Sequence, residues 1–542
     1  MEIFLRLLLI VVKVLSWIIS PILDKFVYPQ KPKRTQVPPI KNPLLLLSIQ
    51  ELRSRLRSRQ LTSVELVKAY IDRIESVNSH LNALIESRFP AALKEAQHAD
   101  DLIAGCASPE AVEKLFEERP LLGLPMTVKE SCALEGMTFS VGSLFRKNVK
   151  ANADGEAVKK LRTAGAIPLL VSATPEYCFS IETDTFLNGR SINPYDFERT
   201  PGGSSGGEGS LNGAGASLFG IGSDIGGSIR IPSQYCGIFG HKPSGGVVSV
   251  KGHFPDSSDP GIEHYLVEGP MTRFAVDLND LLRVMAGQEN SKKLRLTEPV
   301  QLNKIKVHYA LGFDGLNGLI HMPVDESIRN AICRAATHLK TLGLEVTQSQ
   351  LPNLSNSVEM ALSGIAGQDG MVYLLEGPEE SGKVRQTLWE ILRSLVGQSS
   401  YTTNALMFEL LRRTNAFMTR AKVNQYLEES RLRIGEFSKL LGDNGVLLFP
   451  TLNLPAPRHK WSVFSLWGVD YTLIFNVLGL PVTHVPMGLD ERGLPYGFSV
   501  IAGPNQDRLC LRVAVELERA FGGWKPPVPH EINELKDIVY PF

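Results

Sequence analysis

Fifteen of the chain's 47 glycines fall between Gly202 and Gly246. Glycine weakens the interior of a helix or strand by roughly 0.5–1 kcal/mol, so this stretch is expected to follow tight or positive-φ loops held in place by the rest of the molecule. With 542 residues, 43% hydrophobic and 21% charged, the chain has enough apolar content to build a large core around such loops. Loops of this kind present backbone N–H groups to an anion. The stretch contains neither GxGxxG nor GxxxxGK followed by Ser or Thr, which removes the two phosphate-cradling readings. A developing oxyanion remains, for which Gly226-Gly227-Ser228 offers consecutive N–H donors beside a hydroxyl.

A second serine motif competes for the role of nucleophile. Gly202-Gly203-Ser204-Ser205-Gly206 matches the GxSxG elbow of α/β-hydrolases, which would make Ser204 the attacking group. An elbow needs a strand running straight into its serine. The preceding Asn193-Pro194-Tyr195-Asp196-Phe197-Glu198-Arg199-Thr200-Pro201 holds two prolines and no apolar run.

Elsewhere, Thr62 and Glu65 form a capping box that opens a helix over residues 62–78, with Val64, Val67, Ile71, Ile74 and Val77 at helical spacing. Residues 167–171 and 446–449 read as buried strands and residues 509–521 as a helix. Such alternation predicts an α/β fold. With 57 basic and 57 acidic residues the formal charge is zero, so no global field gathers nucleic acid. Cys106, Cys132, Cys178, Cys236, Cys333 and Cys510 are scattered, without CxxC pairs, and read as reduced structural thiols rather than a disulfide framework or zinc site. Nothing calls for a metal or an organic cofactor.

Residues 3–23 are almost continuously apolar and about as long as the roughly 20 residues a bilayer crossing takes. At ~100° per residue, however, Glu2, Arg6, Lys13, Ser16, Ser20 and Asp24 share one stripe. The segment therefore reads as a membrane anchor that either spans or lies in the interface. A span would hold Lys13 near mid-bilayer at roughly 3 kcal/mol, and the basic residues after it would then keep the body on the cytosolic side. The expected organisation is an anchor helix over residues 1–28, a proline-rich tether over 29–43 and a catalytic body over 44–542.

Four stretches carry a family resemblance. They are Gly123-Leu124-Pro125-Met126-Thr127-Val128-Lys129-Glu130, Gly202-Gly203-Ser204-Ser205-Gly206-Gly207-Glu208-Gly209, Gly222-Ser223-Asp224-Ile225-Gly226-Gly227-Ser228-Ile229-Arg230-Ile231-Pro232 and Gly237-Ile238-Phe239-Gly240-His241-Lys242-Pro243-Ser244. Together they closely resemble the amidase-signature family. The Asp-Ile-Gly-Gly-Ser form at 224–228, the apolar N-terminus and Phe521-Gly522-Gly523-Trp524 are most similar to the fatty-acid amide hydrolases of type 2. The resemblance implies one α/β domain, with a central mixed, twisted sheet covered by helices and preceded by the N-terminal hydrophobic helix. It departs at Ala173, where many members have Asn.

The resemblance also implies a mechanism. Ser228 attacks the amide, Ser204 relays its proton and Lys129 is the base, with Gly203 and Ser204 joined by a cis peptide. The N–H groups of Ile225, Gly226, Gly227 and Ser228 form the oxyanion hole. A lysine titrates near pH 10.4 in water, so this role requires burial without a strong anionic partner. Asp224 and Arg230 flank the nucleophile and read as an ion pair bracing the oxyanion loop. His241 belongs to the fold. Residues 388–413, apolar with Arg393, Arg412 and Arg413, read either as a membrane-dipping helical pair beside the substrate channel or as core helices.

The implied activity is hydrolysis of long-chain primary amides and acyl ethanolamides by a membrane-associated enzyme, at the endoplasmic reticulum or lipid droplets, with room for a homodimer. The rivals are a glutamine-using amidotransferase subunit, which the apolar N-terminus opposes, and a catalytically idle membrane-tethered binding protein, which the complete Lys-Ser-Ser set opposes.

Overall fold

The computed structural model describes residues 37–313, 322–366, 372–375, 380–461 and 468–531. The expected anchor helix and the first part of the tether lie outside them. Among the described residues no helix is long and apolar enough to cross a membrane.

Eleven strands form one sheet: β1 (Leu84–Ser87), β2 (Pro125–Lys129), β3 (Ile167–Ser172), β6 (Phe219–Asp224), β7 (Phe239–Lys242), β8 (Val267–Thr272), β9 (Lys306–Tyr309), β10 (Glu345–Gln348), β11 (Gly445–Phe449), β12 (Val482–Leu489) and β13 (Pro495–Ala502). A two-stranded pair, β4 (Asp184–Thr185) and β5 (Gly189–Arg190), stands apart. The order across the large sheet is β1-β3-β2-β6-β8-β7-β12-β13-β11-β9-β10. β3, β2 and β6 run parallel, as do β11, β9 and β10, while the pairs between β6 and β11 through β8, β7, β12 and β13 are antiparallel. The sheet is therefore mixed, as the resemblance implies. β2, β3, β6 and β8 are buried along their whole length, which requires cover on both faces.

The capping box at Thr62 opens the helix Ser63–Leu81, which ends three residues beyond the predicted end, where Asn82 turns left-handed at φ 47°. The glycine-rich stretch differs more. It holds two helices, Gly206–Gly213 and Arg230–Cys236, and strands β6 and β7, and only five of its fifteen glycines have positive φ. Most are there for close approach. A Cβ at Gly220 would overlap the Glu208 carboxyl, so the bare strand makes room for a buried acid. At Gly227 both reasons act, since φ is +121° and a Cβ would lie 2.5 Å from Thr472 Oγ1.

The described end of the tether also differs from expectation. Val37 and Ile40 are buried in the main core, and Arg73 Nη1 donates to the Pro38 carbonyl at 2.7 Å. These residues belong to the body. A chain beginning at residue 37 should therefore keep full stability, whereas one beginning at residue 44 should lose roughly 3–6 kcal/mol, taking about 1.5–3 for each aliphatic side chain. Urea unfolding of the two truncations measures this; equal stability would put the boundary back at residue 44.

Candidate active site

The register of the parallel strands gathers the site. β2 pairs β6 with Val128 opposite Ile221, so the C-terminal ends of β2 and β6 lie side by side, carrying Lys129 and Ser223. Ligands commonly bind at such ends in open α/β sheets. Lys129 is fully buried, and its Nζ lies 2.7 Å from Ser204 Oγ and 2.9 Å from Ser223 Oγ, both at hydrogen-bond distance. Among the described residues no carboxylate lies within ion-pairing distance of it.

Ser204 follows a cis peptide bond from Gly203, and no strand leads into it. The elbow reading thus has no structural basis. Its carbonyl accepts from Thr174 Oγ1 at 3.0 Å. Next to it, Ser205 N–H donates to the Ser228 carbonyl at 3.2 Å, so the loops bearing the two serines are stitched together. Ser228 is half-buried, on the turn before the helix Arg230–Cys236.

That turn is braced by a buried ion pair. Arg230 Nη2 and Nε donate to the two Asp224 oxygens at 2.9 and 3.0 Å, and Arg230 also donates to Asn476 Oδ1 and the Thr472 carbonyl. Burial alone would raise the Asp224 carboxyl, but Arg230 outweighs it and holds the group well below the usual carboxylate range. Asp224 in turn accepts from the N–H groups of Gly227, at 2.8 Å, and Ile229, at 3.0 Å. The Gly227 donor, assigned to the oxyanion by resemblance, is thus occupied, while the N–H groups of Ile225, Gly226 and Ser228 have no hydrogen-bond partner among the described residues. His241 is buried between Thr483 and Asp507, a structural placement.

Several residues that sequence reasoning left without a role surround Lys129. Ser223 Oγ is 2.8 Å from His253 Nε2. Burial pushes the carboxyls of Glu208 and Glu268 up to about 7. Glu208 accepts from Thr127 and Ser172, whereas neither Glu268 oxygen has a partner in good geometry, although the Cys132 thiol lies beside it. All six cysteines are free. Burial raises the Cys178 thiol, and only a cationic Lys129 or His253 beside it would bring it down. Lys242 is buried and donates to the Pro243 carbonyl; burial and Arg230 lower it to about 7. A cavity of about 1270 Å³ lined by Arg273, Phe274, Arg512, Glu516 and Trp524 includes none of the predicted site residues.

The family model for amidases matches residues 65–511. The chain belongs to the amidase family. It is 42% identical over 516 residues to fatty-acid amide hydrolase 2-A of Danio rerio, covering 94% of this chain and 95% of that protein. Against fatty-acid amide hydrolase 2 of Homo sapiens it is 40% identical, covering 90% and 92%. A solved fatty acid amide hydrolase superposes with a TM-score of 0.70 at 21% identity, covering 89% of this chain and 86% of that one, a likeness of fold. The chain is accordingly an amidase, a hydrolase of amide C–N bonds.

Glu208 gives the site a pH signature. Its carboxyl is raised from 4.5 to about 7, so the folded protein holds this proton to higher pH than the unfolded chain. The stabilisation is complete below about pH 4.5 and is lost as pH rises through about 7. Glu208→Gln should remove it. The stability difference between wild type and variant, from urea unfolding at pH 5 and pH 8, should favour wild type more at pH 5, by up to roughly 3 kcal/mol; a difference independent of pH contradicts the assignment.

Proposed function

We propose that this amidase cleaves long-chain fatty-acid amides, both primary amides and acyl ethanolamides, through an acyl-enzyme on Ser228. A run of apolar contacts from an exposed helix face to the turn before the nucleophile carries this reading. On the helix Glu380–Leu395 and just past its end, Leu388, Trp389, Leu392, Leu395 and Val396 are exposed at helical spacing, Trp389 by 61% and Leu395 by 70%. On the inner side Ile391 packs in a cluster with Leu406 and Phe179. Phe179 stacks on Phe408 of the helix Thr403–Arg413 at 4.1 Å, and Phe408 packs in a second cluster with Ile225, three residues before Ser228. An acyl chain laid along this path would bring its carbonyl to the N–H groups of Ile225, Gly226 and Ser228. The same exposed face suits an interfacial seat on a membrane, of the endoplasmic reticulum or a lipid droplet, into which such amides partition. The similarity to fatty-acid amide hydrolase 2 proteins supports the substrate class.

In the proposed chemistry Lys129 accepts the Ser204 hydroxyl proton while Ser204 takes the proton of Ser228, whose Oγ forms the bond to the amide carbon. The oxyanion is held by the free N–H groups of the turn, with Gly227 positioned through Asp224. The proton returns through Ser204 to the leaving nitrogen, the C–N bond breaks, and water repeats the sequence on the acyl-enzyme. A few methylenes, each contributing about 0.8 kcal/mol, suffice for a preference of about 100-fold or more for oleamide over acetamide and glutamine in kcat/KM. Fluorophosphonate labelling of the wild type should be abolished in Ser228→Ala. Faster turnover of either short amide, or labelling that survives the substitution, contradicts the proposal.

A further inference from the structure

The Lys129 amine is one end of a buried chain of hydrogen bonds that runs away from the nucleophile. Lys129 Nζ reaches Ser223 Oγ at 2.9 Å, Ser223 Oγ lies 2.8 Å from His253 Nε2, and His253 Nδ1 lies 2.9 Å from the Pro255 carbonyl oxygen. Lys129, Ser223 and His253 are at most 4% exposed. We infer that His253, acting through Ser223, is a positioning residue that aims the lone pair of Lys129 at Ser204. This rests on the reading of Lys129 as the base.

The direction of each bond follows from what its atoms can do. A carbonyl oxygen only accepts, so His253 Nδ1 carries the ring proton of a neutral imidazole. Its Nε2 is then an acceptor, and the Ser223 hydroxyl must donate to it. With its proton so committed, Ser223 Oγ can only accept from Lys129. A neutral lysine amine has two N–H bonds and one lone pair, and giving an N–H to Ser223 leaves the lone pair free for the Ser204 hydroxyl at 2.7 Å. The polarity of one carbonyl thus propagates over three side chains to the atom that must take the proton.

Loss of the acceptor at position 253 frees the Ser223 hydroxyl to turn and donate to Lys129, which occupies the lone pair and competes with Ser204. Protonation of His253 has the same effect, because Nε2 becomes a donor. The charged and titratable groups facing the ring are Lys129 on β2, Cys178 from the segment before Phe179, and Glu268 on β8, with Cys132 bridging to His253 through the backbone.

The test uses the full-length chain and the rate at which a fluorophosphonate acylates Ser228, which depends on activation of the nucleophile whatever the natural substrate is. His253→Phe and Ser223→Ala should each lower the maximal acylation rate by about 30–100-fold with the half-saturating concentration unchanged, a loss within the range of misdirected base catalysis. Acting on one chain, they should not add, so the double variant should stay within about twofold of Ser223→Ala. His253→Gln keeps an acceptor oxygen for Ser223 and should recover to within about threefold of wild type. Additive losses, a Gln variant no faster than the Phe variant at equal melting temperature, or wild-type rates without the ring overturn the inference. Should His253→Phe fail to fold, Ser223→Ala and His253→Gln still decide it. Wild-type acylation in Lys129→Ala would instead overturn the base assignment beneath it.

Discussion

A lysine amine closed off from solvent, with hydroxyls as hydrogen-bond partners and, among the described residues, no carboxylate at ion-pairing distance, is the constraint on which the site depends. Burying an ammonium without an opposite charge costs several kcal/mol, so the fold around Lys129 must either supply a counter-charge or tolerate the neutral amine. The proposed role as base takes the second course. The acids that share the interior with it, Glu208 and Glu268, are themselves pushed up by burial to about 7, and Glu208 is occupied by Thr127 and Ser172. A buried ion pair nearby, Asp224 with Arg230, is turned inward on itself and on Asn476, where it fixes the shape of the turn carrying Ser228.

The same logic connects the glycine-rich stretch to the chemistry. The helices Gly206–Gly213 and Arg230–Cys236 and strand β6 pack so closely that a Cβ at Gly220 would strike Glu208 and one at Gly227 would strike Thr472. Absent side chains here make space for buried polar groups. That is why the expectation of mostly loop structure is wrong for this stretch, although the concentration of glycines does mark the site.

Residues whose signal is local were legible. The Thr62 cap, β3 and β11 each announce themselves within a few residues, and the compact motifs of Lys129 and Ser204 hold two side chains that the fold brings to 2.7 Å. The supporting residues were not legible for a physical reason. Ser223 was visible in the motif around Asp224, but a role for it appears only when β2 and β6 align and bring Lys129 alongside. His253 and Glu268 come from segments that meet Lys129 only in the folded sheet, and no spacing in the sequence records that meeting. The end of the tether is hard to read from sequence because prolines and basic residues suit solvated chain, whereas Val37 and Ile40, set among them, pack into the core.

The central claim is that Lys129 serves both as base in the attack and, through Ser204, as the source of the proton for the leaving nitrogen. An amine departs poorly unless protonated, whereas an alkoxide departs with less help, so the two roles separate on matched substrates. The direct measurement is kcat/KM of wild type and Lys129→Ala on oleamide and methyl oleate across pH. The account predicts that both reactions slow in the variant but that the amide slows about tenfold or more beyond the ester, erasing the enzyme's selectivity for amides. Equal losses on the two substrates would contradict it, leaving Lys129 a role in the attack alone.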